Sequence, residues 1–271
     1  MSAISETFTE FNERKEAALI AYITVGDPAL KHTPRLASAL IEGGADIVEL
    51  GIPFSDPIAD GPTIQAAVKR ALMNGANPTD ALHIARLIQE RYDTPLVLMT
   101  YYNPIFRIGL HKFLTSARES GISGIIVPDL PVEESADYKK ECVAISLDTI
   151  FLASPSTEPQ RLRAIISQTS GYLYLISLYG VTGVRPTLPD SALALVRKYR
   201  TALRDTIPLA VGFGISRQGH VRDLVRAGAN AVIVGSAFVE IVGANSRNVA
   251  QASARLTRLA GNLKKGTILG T

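Results

Sequence analysis

The sequence predicts a (β/α)8 barrel. Eight short apolar, β-branched segments recur along the chain, each is followed by a helical pattern, and several of those patterns close on glycine and lead straight into the next segment. The segments are Leu19–Val25, Asp46–Gly51, Leu96–Tyr101, Gly124–Pro128, Thr149–Leu152, Tyr172–Ser177, Leu209–Phe213 and Ala231–Val234. Runs such as Gly-Ile-Ile-Val-Pro and Ala-Val-Ile-Val-Gly are apolar without alternation, as parallel strands covered on both faces require. A doubly wound sheet is the rival arrangement. It would use fewer strands and a glycine-rich fingerprint after the first, where this chain reads Gly-Asp-Pro-Ala-Leu.

In chain order, Ser2–Arg14 reads as an added helix capping the lower end of the barrel. Amphipathic stretches follow at Pro34–Glu42, Ile64–Met73, Leu110–Ser120 and Gln218–Ala227, with Gly43, Gly75, Gly121 and Gly228 as helix C-caps. About fifty residues separate the second and third segments, predicting an enlarged loop rich in Pro, Asp and Gly and then two helices. No linker-like stretch divides the 271 residues, so a single domain over 1–271 is expected.

Composition narrows the classes. Hydrophobic residues make up 46% and charged residues 20%, which excludes a disordered chain. Cys142 is the only cysteine, so a disulfide scaffold is excluded. No signal-peptide pattern opens the chain and no apolar run is long enough for a membrane span, so a cytoplasmic protein is expected. The net charge of +3 is uneven: residues 190–271 carry 12 Lys and Arg against 4 Asp and Glu. Those cations, among them Arg197, Lys198, Arg200, Arg204, Arg217, Arg222, Arg226, Arg255 and Arg258, fall on helical patterns without interleaved aromatics. That is a solvated helix surface, not a nucleic-acid groove.

In a barrel, chemistry sits at the C-terminal ends of the strands. Alternation places Ile47, Glu49 and Gly51 on one face and Val48 and Leu50 on the other, so Glu49 is expected to point into the barrel among apolar neighbours. A carboxyl group there gains a raised pKa suited to giving and taking a proton near neutrality; a buried salt bridge is the competing account. Asp60 precedes Gly61-Pro62-Thr63, where a helix begins, and taken alone a helix cap accounts for it. Beside Glu49 at the same mouth it becomes a second acid/base or an acceptor for a ligand N–H.

Gly180-Val181-Thr182-Gly183, Gly212-Phe213-Gly214-Ile215-Ser216 and Val234-Gly235-Ser236 end the last three segments, the latter two opening onto helices. Exposed backbone N–H groups in that setting bind a phosphate dianion, and Thr182 lies on a glycine-flanked loop suited to act as a lid. Tyr22, Tyr101, Tyr102 and Tyr174 sit where rings can line a pocket for a flat ligand or simply pack the core. His32, His83, His111 and His220 lack metal-ligand spacing, so no metal is expected. Cys142 lies in a helical pattern as core, and no lysine ends a segment to form a Schiff base.

These motifs closely resemble the tryptophan synthase α subunit family over nearly the whole chain. The matching stretches are Tyr22–Pro28, Glu49–Pro57, Ala59–Pro62, Tyr101–Pro104, Pro128–Pro131, Gly180–Gly183, Gly212–Ser216 and Val234–Ser236. The resemblance implies retro-aldol cleavage of indole-3-glycerol phosphate to indole and glyceraldehyde 3-phosphate. It makes Glu49 the principal acid/base and Asp60 the carboxylate that receives the indole N–H. It places Gly183, Gly214, Gly235 and Ser236 at the phosphate, Thr182 on the lid, and Tyr22, Tyr101 and Tyr174 around the pocket. It implies no cofactor in this chain, and a pyridoxal-phosphate β subunit as partner in an α2β2 heterotetramer. Pro53–Pro57, Asn103–Phe106 and Asp129–Pro131 match the family's partner contacts. Tyr22 stands where Phe is frequent, and Thr100 and Tyr102 replace common apolar or small residues. A free-standing lyase of the same family and a non-catalytic phosphate-binding barrel are the alternatives.

Overall fold

The computed structural model describes residues 2–176 and 188–269, so Gly180, Thr182 and Gly183 lie outside the described residues. The chain opens with α1 (Ala3–Arg14), capped by the Ser2 hydroxyl, which accepts the Ser5 N–H. Then β1 (Ala18–Thr24) leads through α2 (Thr33–Glu42) to β2 (Ile47–Gly51), and two helices, α3 (Pro62–Met73) and α4 (Pro78–Gln89), fill the enlarged connection to β3 (Leu96–Met99). Two more, α5 (Tyr102–Ile108) and α6 (Leu110–Glu119), precede β4 (Ile122–Ile126). The middle of the chain is α7 (Ala136–Ala144), β5 (Asp148–Ile150), β6 (Leu152–Ala153), α8 (Pro159–Gln168) and β7 (Leu173–Ile176). The last part is α9 (Asp190–Leu203), β8 (Leu209–Gly212), α10 (Gln218–Arg226), β9 (Ala231–Val234), α11 (Ser236–Ala244) and α12 (Val249–Lys264).

Among the described residues, nine parallel strands form one sheet in the order β5-β4-β3-β2-β1-β9-β8-β7-β6. The sheet's two ends are consecutive in the chain, so the fifth expected segment appears split at Phe151. Its lower half, β5, pairs with β4, and its upper half, β6, pairs with β7. On the β4 side the ladder ends at Ile126, opposite Ile150. The Phe151 carbonyl instead accepts the Tyr174 N–H at 3.0 Å.

Two faces of the strands serve two cores. Outward residues such as Leu19, Val48 and Leu50 pack against the helices, with Leu36 and Leu40 of α2 in the same cluster. Inward residues Ile20, Ile47, Val97, Ile126, Ile150 and Tyr172 fill the lower barrel together with Ile4, Phe8 and Phe11 of α1. The expected capping helix therefore plugs the floor of the barrel.

Some boundaries differ from expectation. The third strand ends at Met99, because Tyr101 is the N-cap of α5 and the Asp129 carboxylate accepts the Tyr102 N–H at 2.9 Å. Tyr101 thus caps a helix instead of ending the strand, and Tyr102 begins that helix. That helix is hidden in the sequence by Asn103-Pro104, which reads as a turn although Pro is tolerated in a first helical turn. Gly75, Gly121 and Gly228 adopt φ of +76°, +85° and +109° after their helices. After α2 the left-handed residue is Gly44 (φ +100°), one beyond the expected Gly43. Gly43 is needed for contact instead: a Cβ there would lie 2.8 Å from the Thr257 carbonyl oxygen of α12. Arg197, Lys198, Arg204, Arg217, Arg222, Arg226, Arg255 and Arg258 are exposed, while Arg200 is half-buried. Among the described residues no helix is long and apolar enough to cross a membrane.

Candidate active site

A cleft of about 220 Å³ opens at the C-terminal ends of the strands. Tyr22, Asp60, Tyr174, Gly214, Gly235 and Ser236 line it, with Ile64, Met99, Leu152, Ile176 and Ile233 supplying apolar walls. Six of the ten site residues expected from the sequence therefore meet around one cavity.

Glu49 lies in β2, opposite Tyr22 of β1 and Val97 of β3 in the register. The β period turns it inward, and it is fully buried. The salt-bridge account fails among the described residues. Oε1 accepts a hydrogen bond of 2.6 Å from the Tyr172 hydroxyl, and Oε2 has no hydrogen-bond partner. Burial raises the Glu49 pKa to about 7, only partly offset by Tyr172. The side chain does not reach the cleft surface. Its electrostatic neighbours Tyr22 and Tyr174 do, and both also feel Asp60, so the two tyrosines stand between the carboxyl groups.

Asp60 does not cap α3. The N-cap is Gly61, which makes no side-chain cap bond, and Asp60 Oδ2 instead accepts from the Tyr101 hydroxyl at 3.1 Å. The same hydroxyl accepts the Ala59 N–H at 3.0 Å, so it ties the loop before α3 to the start of α5. Burial lifts the Asp60 pKa to about 6, with the Tyr101 bond opposing it. Tyr101 itself is buried, packed on Phe54 at 5.3 Å between ring centroids. It holds the loop rather than forming the wall of the cleft.

At the opposite side, Gly235 is the N-cap of α11 and Ser236 its first residue, so the unpaired N–H groups of a helix start face the cavity. The β8 turn contributes Gly214 (φ +66°) and Ile215, whereas α10 begins only at Gln218, outside the lining. Of the two expected helix starts, one meets the cleft. Among the described residues no Lys or Arg lines the cleft, which leaves anion binding to backbone and the Ser236 hydroxyl. Small residues keep the space open: a Cβ on Gly51 would lie 2.1 Å from the Tyr22 hydroxyl oxygen, and one on Gly212 2.7 Å from the Tyr174 ring.

Tyr102 packs beside Phe106 on α5, away from the lining. Thr100 is buried. Cys142 is core, its thiol pushed up to about 12 by burial. His83 and His111 are exposed, His32 is half-buried and His220 buried. Among the described residues no three His, Cys, Asp or Glu side chains gather as a metal site. The residue missed from sequence is Tyr172. Alternation that turns Tyr174 inward turns Tyr172 inward one layer lower, and that parity was the available signal.

A parallel barrel with one buried and one half-buried carboxyl group near its C-terminal mouth, and a glycine-opened helix start lining the same cleft, is a phosphate-binding barrel of the acid/base class. The comparisons narrow the class. The family model described as tryptophan synthase alpha chain matches residues 8–268. The tryptophan synthase alpha chain of Methanosarcina mazei is 48% identical over 98% of this chain and 94% of its own length. That of Methanopyrus kandleri is 45% identical over 97% and 94%. Among solved structures, the tryptophan synthase subunit alpha of Legionella pneumophila superposes with a TM-score of 0.89 at 32% identity, covering 98% of both chains. A chain from the α2β2 complex of Pyrococcus furiosus gives 0.85 at 44% identity, over 92% of this chain and 98% of that one. The chain belongs to the tryptophan synthase alpha chain family.

Proposed function

We infer that the chain is a carbon–carbon lyase that cleaves indole-3-glycerol phosphate to indole and glyceraldehyde 3-phosphate. It works as the α subunit of tryptophan synthase in tryptophan biosynthesis. Glu49 and Asp60 are its catalytic carboxyl groups. The observation that carries this reading is Glu49, a carboxyl group held inside an apolar barrel with a pKa of about 7, beside a cleft whose mouth bears Asp60. A group poised there holds its proton half the time at neutrality, and both halves of the reaction need it.

The chemistry follows from the substrate. The bond to be broken joins indole C3 to a carbon bearing a hydroxyl. Protonated Glu49 gives its proton to C3, which turns the indole into a cation, and Asp60 as carboxylate accepts the N–H and stabilises that charge. Glu49, now ionised, takes the proton of the hydroxyl as the carbon–carbon bond breaks. Its electron pair returns to the ring, the aldehyde forms, and Glu49 regains its proton. To reach a bound substrate, Glu49 must turn off Tyr172 toward the cleft, because its observed position is fully buried. The substrate phosphate is received by Gly214, Gly235 and Ser236, with Gly183 and Thr182 assigned to the same site by the family motif. Tyr22 and Tyr174 flank the indole, and Tyr101 positions Asp60.

The partner is a tryptophan synthase β subunit in an α2β2 heterotetramer. Pyridoxal phosphate belongs to that subunit, and this chain carries no cofactor of its own. The compartment is the cytoplasm. Indole release from indole-3-glycerol phosphate, with and without a β subunit, tests the whole reading. Glu49→Gln is expected to abolish release while leaving glycerol phosphate binding intact. Persisting turnover would refute the assignment, and a rate unchanged by a β subunit would favour a free-standing lyase.

A further inference from the structure

The floor of the barrel is closed by a helix that belongs to no strand–helix unit, and one of its side chains reaches almost to the reacting group. The Phe8 ring of α1 lies 5.9 Å from the Tyr172 ring, tilted by 56°, and the Tyr172 hydroxyl is bonded to Glu49 Oε1 at 2.6 Å. On its other side Phe8 lines a separate surface cleft of about 500 Å³ at the bottom of the barrel, shared with Ser5, Thr9, Asn12 and Asn230 and with the charged pair Arg200 and Asp205. Polar residues thus surround the outer side of a ring whose inner side touches a fully buried tyrosine.

We propose that Phe8 is a positioning residue for the reaction: its ring seals the barrel floor and keeps water from reaching the Tyr172–Glu49 hydrogen bond from below. The proposal rests on Glu49 being the acid/base of the proposed function. Its physical basis is that the carboxyl group's proton affinity depends on dryness, since burial is the larger cause of the raised value and Tyr172 opposes it.

The surroundings leave few other groups to set that affinity. The titratable groups facing Glu49 are Tyr22 of β1, Tyr174 of β7 and Tyr172 just before that strand, and Tyr172 also feels Asp148 of β5. Asp60 acts on Tyr22 and Tyr174 from the mouth. The α1 helix adds no charge to this layer. Its inward residues are Ile4, Phe8 and Phe11, while Glu6, Glu10, Glu13 and Arg14 are exposed. The helix is held in place independently of Phe8, because the Ser2 hydroxyl donates to Asp148 Oδ2 at 2.5 Å.

The test reads Glu49 directly. Carboxyl carbon resonances of the full chain, with Glu49 assigned by its loss in Glu49→Gln, are titrated in the wild type, Phe8→Leu and Phe8→Ala. Indole release is followed over the same pH range. Phe8→Leu keeps the seal and is expected to titrate as the wild type does. Phe8→Ala admits water, and the Glu49 titration is expected to fall by about one pH unit, with the alkaline limb of the rate profile, where Glu49 loses the proton it must give, moving down alongside it. If Phe8→Ala does not fold, Phe8→Val takes its place with a smaller shift in the same direction. A folded variant with an unmoved Glu49 titration overturns the proposal, as does a moved titration that leaves the rate profile in place. Full activity in Glu49→Gln is a separate result: it refutes the catalytic reading, whatever Phe8 does to the titration.

Discussion

Replacing Glu49 by Gln keeps the shape of the side chain and its bond from Tyr172, and removes only the titration. In the fold the carboxyl group has a pKa of about 7, against an ordinary value of 4.5 that holds once the chain unfolds. Between those values the folded state keeps a proton that the unfolded state has lost, so stability falls as pH rises from 4.5 to 7 and is level above. The gap corresponds to about 3 kcal/mol of stability forgone at alkaline pH. Glu49→Gln escapes that loss. Relative to the wild type it should gain less than about 1 kcal/mol near pH 5 and about 3 kcal/mol near pH 9. The amide nitrogen takes the place of Oε2, which has no partner among the described residues, and any penalty for this applies equally at both pH values. The diagnostic is therefore the change with pH, read by urea unfolding of both proteins across the range. A difference that stays constant from acid to alkali would mean that Glu49 is not an isolated buried acid, and the reasoning from burial to proton affinity would fail.

Three further perturbations address the other parts of the site. Asp60→Asn removes the charge that balances a developing indole cation, and a fall in kcat of at least about a hundredfold is expected in indole release. Near-normal kinetics would reduce Asp60 to a loop residue. Tyr101→Phe deletes the hydroxyl that lowers the Asp60 pKa and holds the Ala59 N–H, so the Asp60 pKa should rise above about 6. Activity should then drop about tenfold below neutrality and recover toward alkaline pH, a recovery absent if the hydroxyl served packing alone. Arg70→Met leaves Asp27, which is 2% exposed and bonded by Arg70 at 2.7 and 2.8 Å, without its partner. A loss of about 3 kcal/mol in unfolding free energy is expected, and an effect under about 1 kcal/mol would make the pair a surface contact in energetic terms.

Period and punctuation made most of the barrel legible. Gly-Ala-Asp-Ile-Val and its echoes mark a helix end feeding a buried strand, and those junctions appear where expected. What the sequence concealed was decided by contacts between distant segments. The strand split at Phe151 follows from its two halves pairing with different neighbours, β4 and β7, and α5 depends on Asp129 taking the Tyr102 N–H across 27 positions. The site divides the same way. Glu49 was readable because one charged residue sits in an apolar run whose parity is fixed. Tyr101 was readable as an aromatic at the mouth but not as a loop tether, because its partners lie 41 and 42 positions away. Asp60 carried two readings until the structure gave its carboxylate to Tyr101.

If Glu49 is the acid/base of the proposed function, its position sets stability against function within one residue. Solvating the carboxyl group would lower its pKa and recover the stability lost at alkaline pH, but a group near 4.5 is almost wholly ionised at neutrality and has no proton to give to indole C3. Burial without any partner would hold the proton too firmly, and the single bond from Tyr172 moderates this. The barrel supplies the dry interior through its alternating inward residues, and α1 closes the end that strands alone leave open. The phosphate end follows the opposite logic. A dianion seated on the start of α11 has its charge met by N–H groups that cannot titrate. An Arg or Lys in that role would place a full positive charge in the same cavity as both carboxyl groups and pull the Glu49 pKa down. On the proposed reading, anchoring the substrate through glycine backbone keeps the cleft free of such a charge among the described residues. Among the described residues the basic excess is carried on outer helices, and no Lys or Arg lines the cleft.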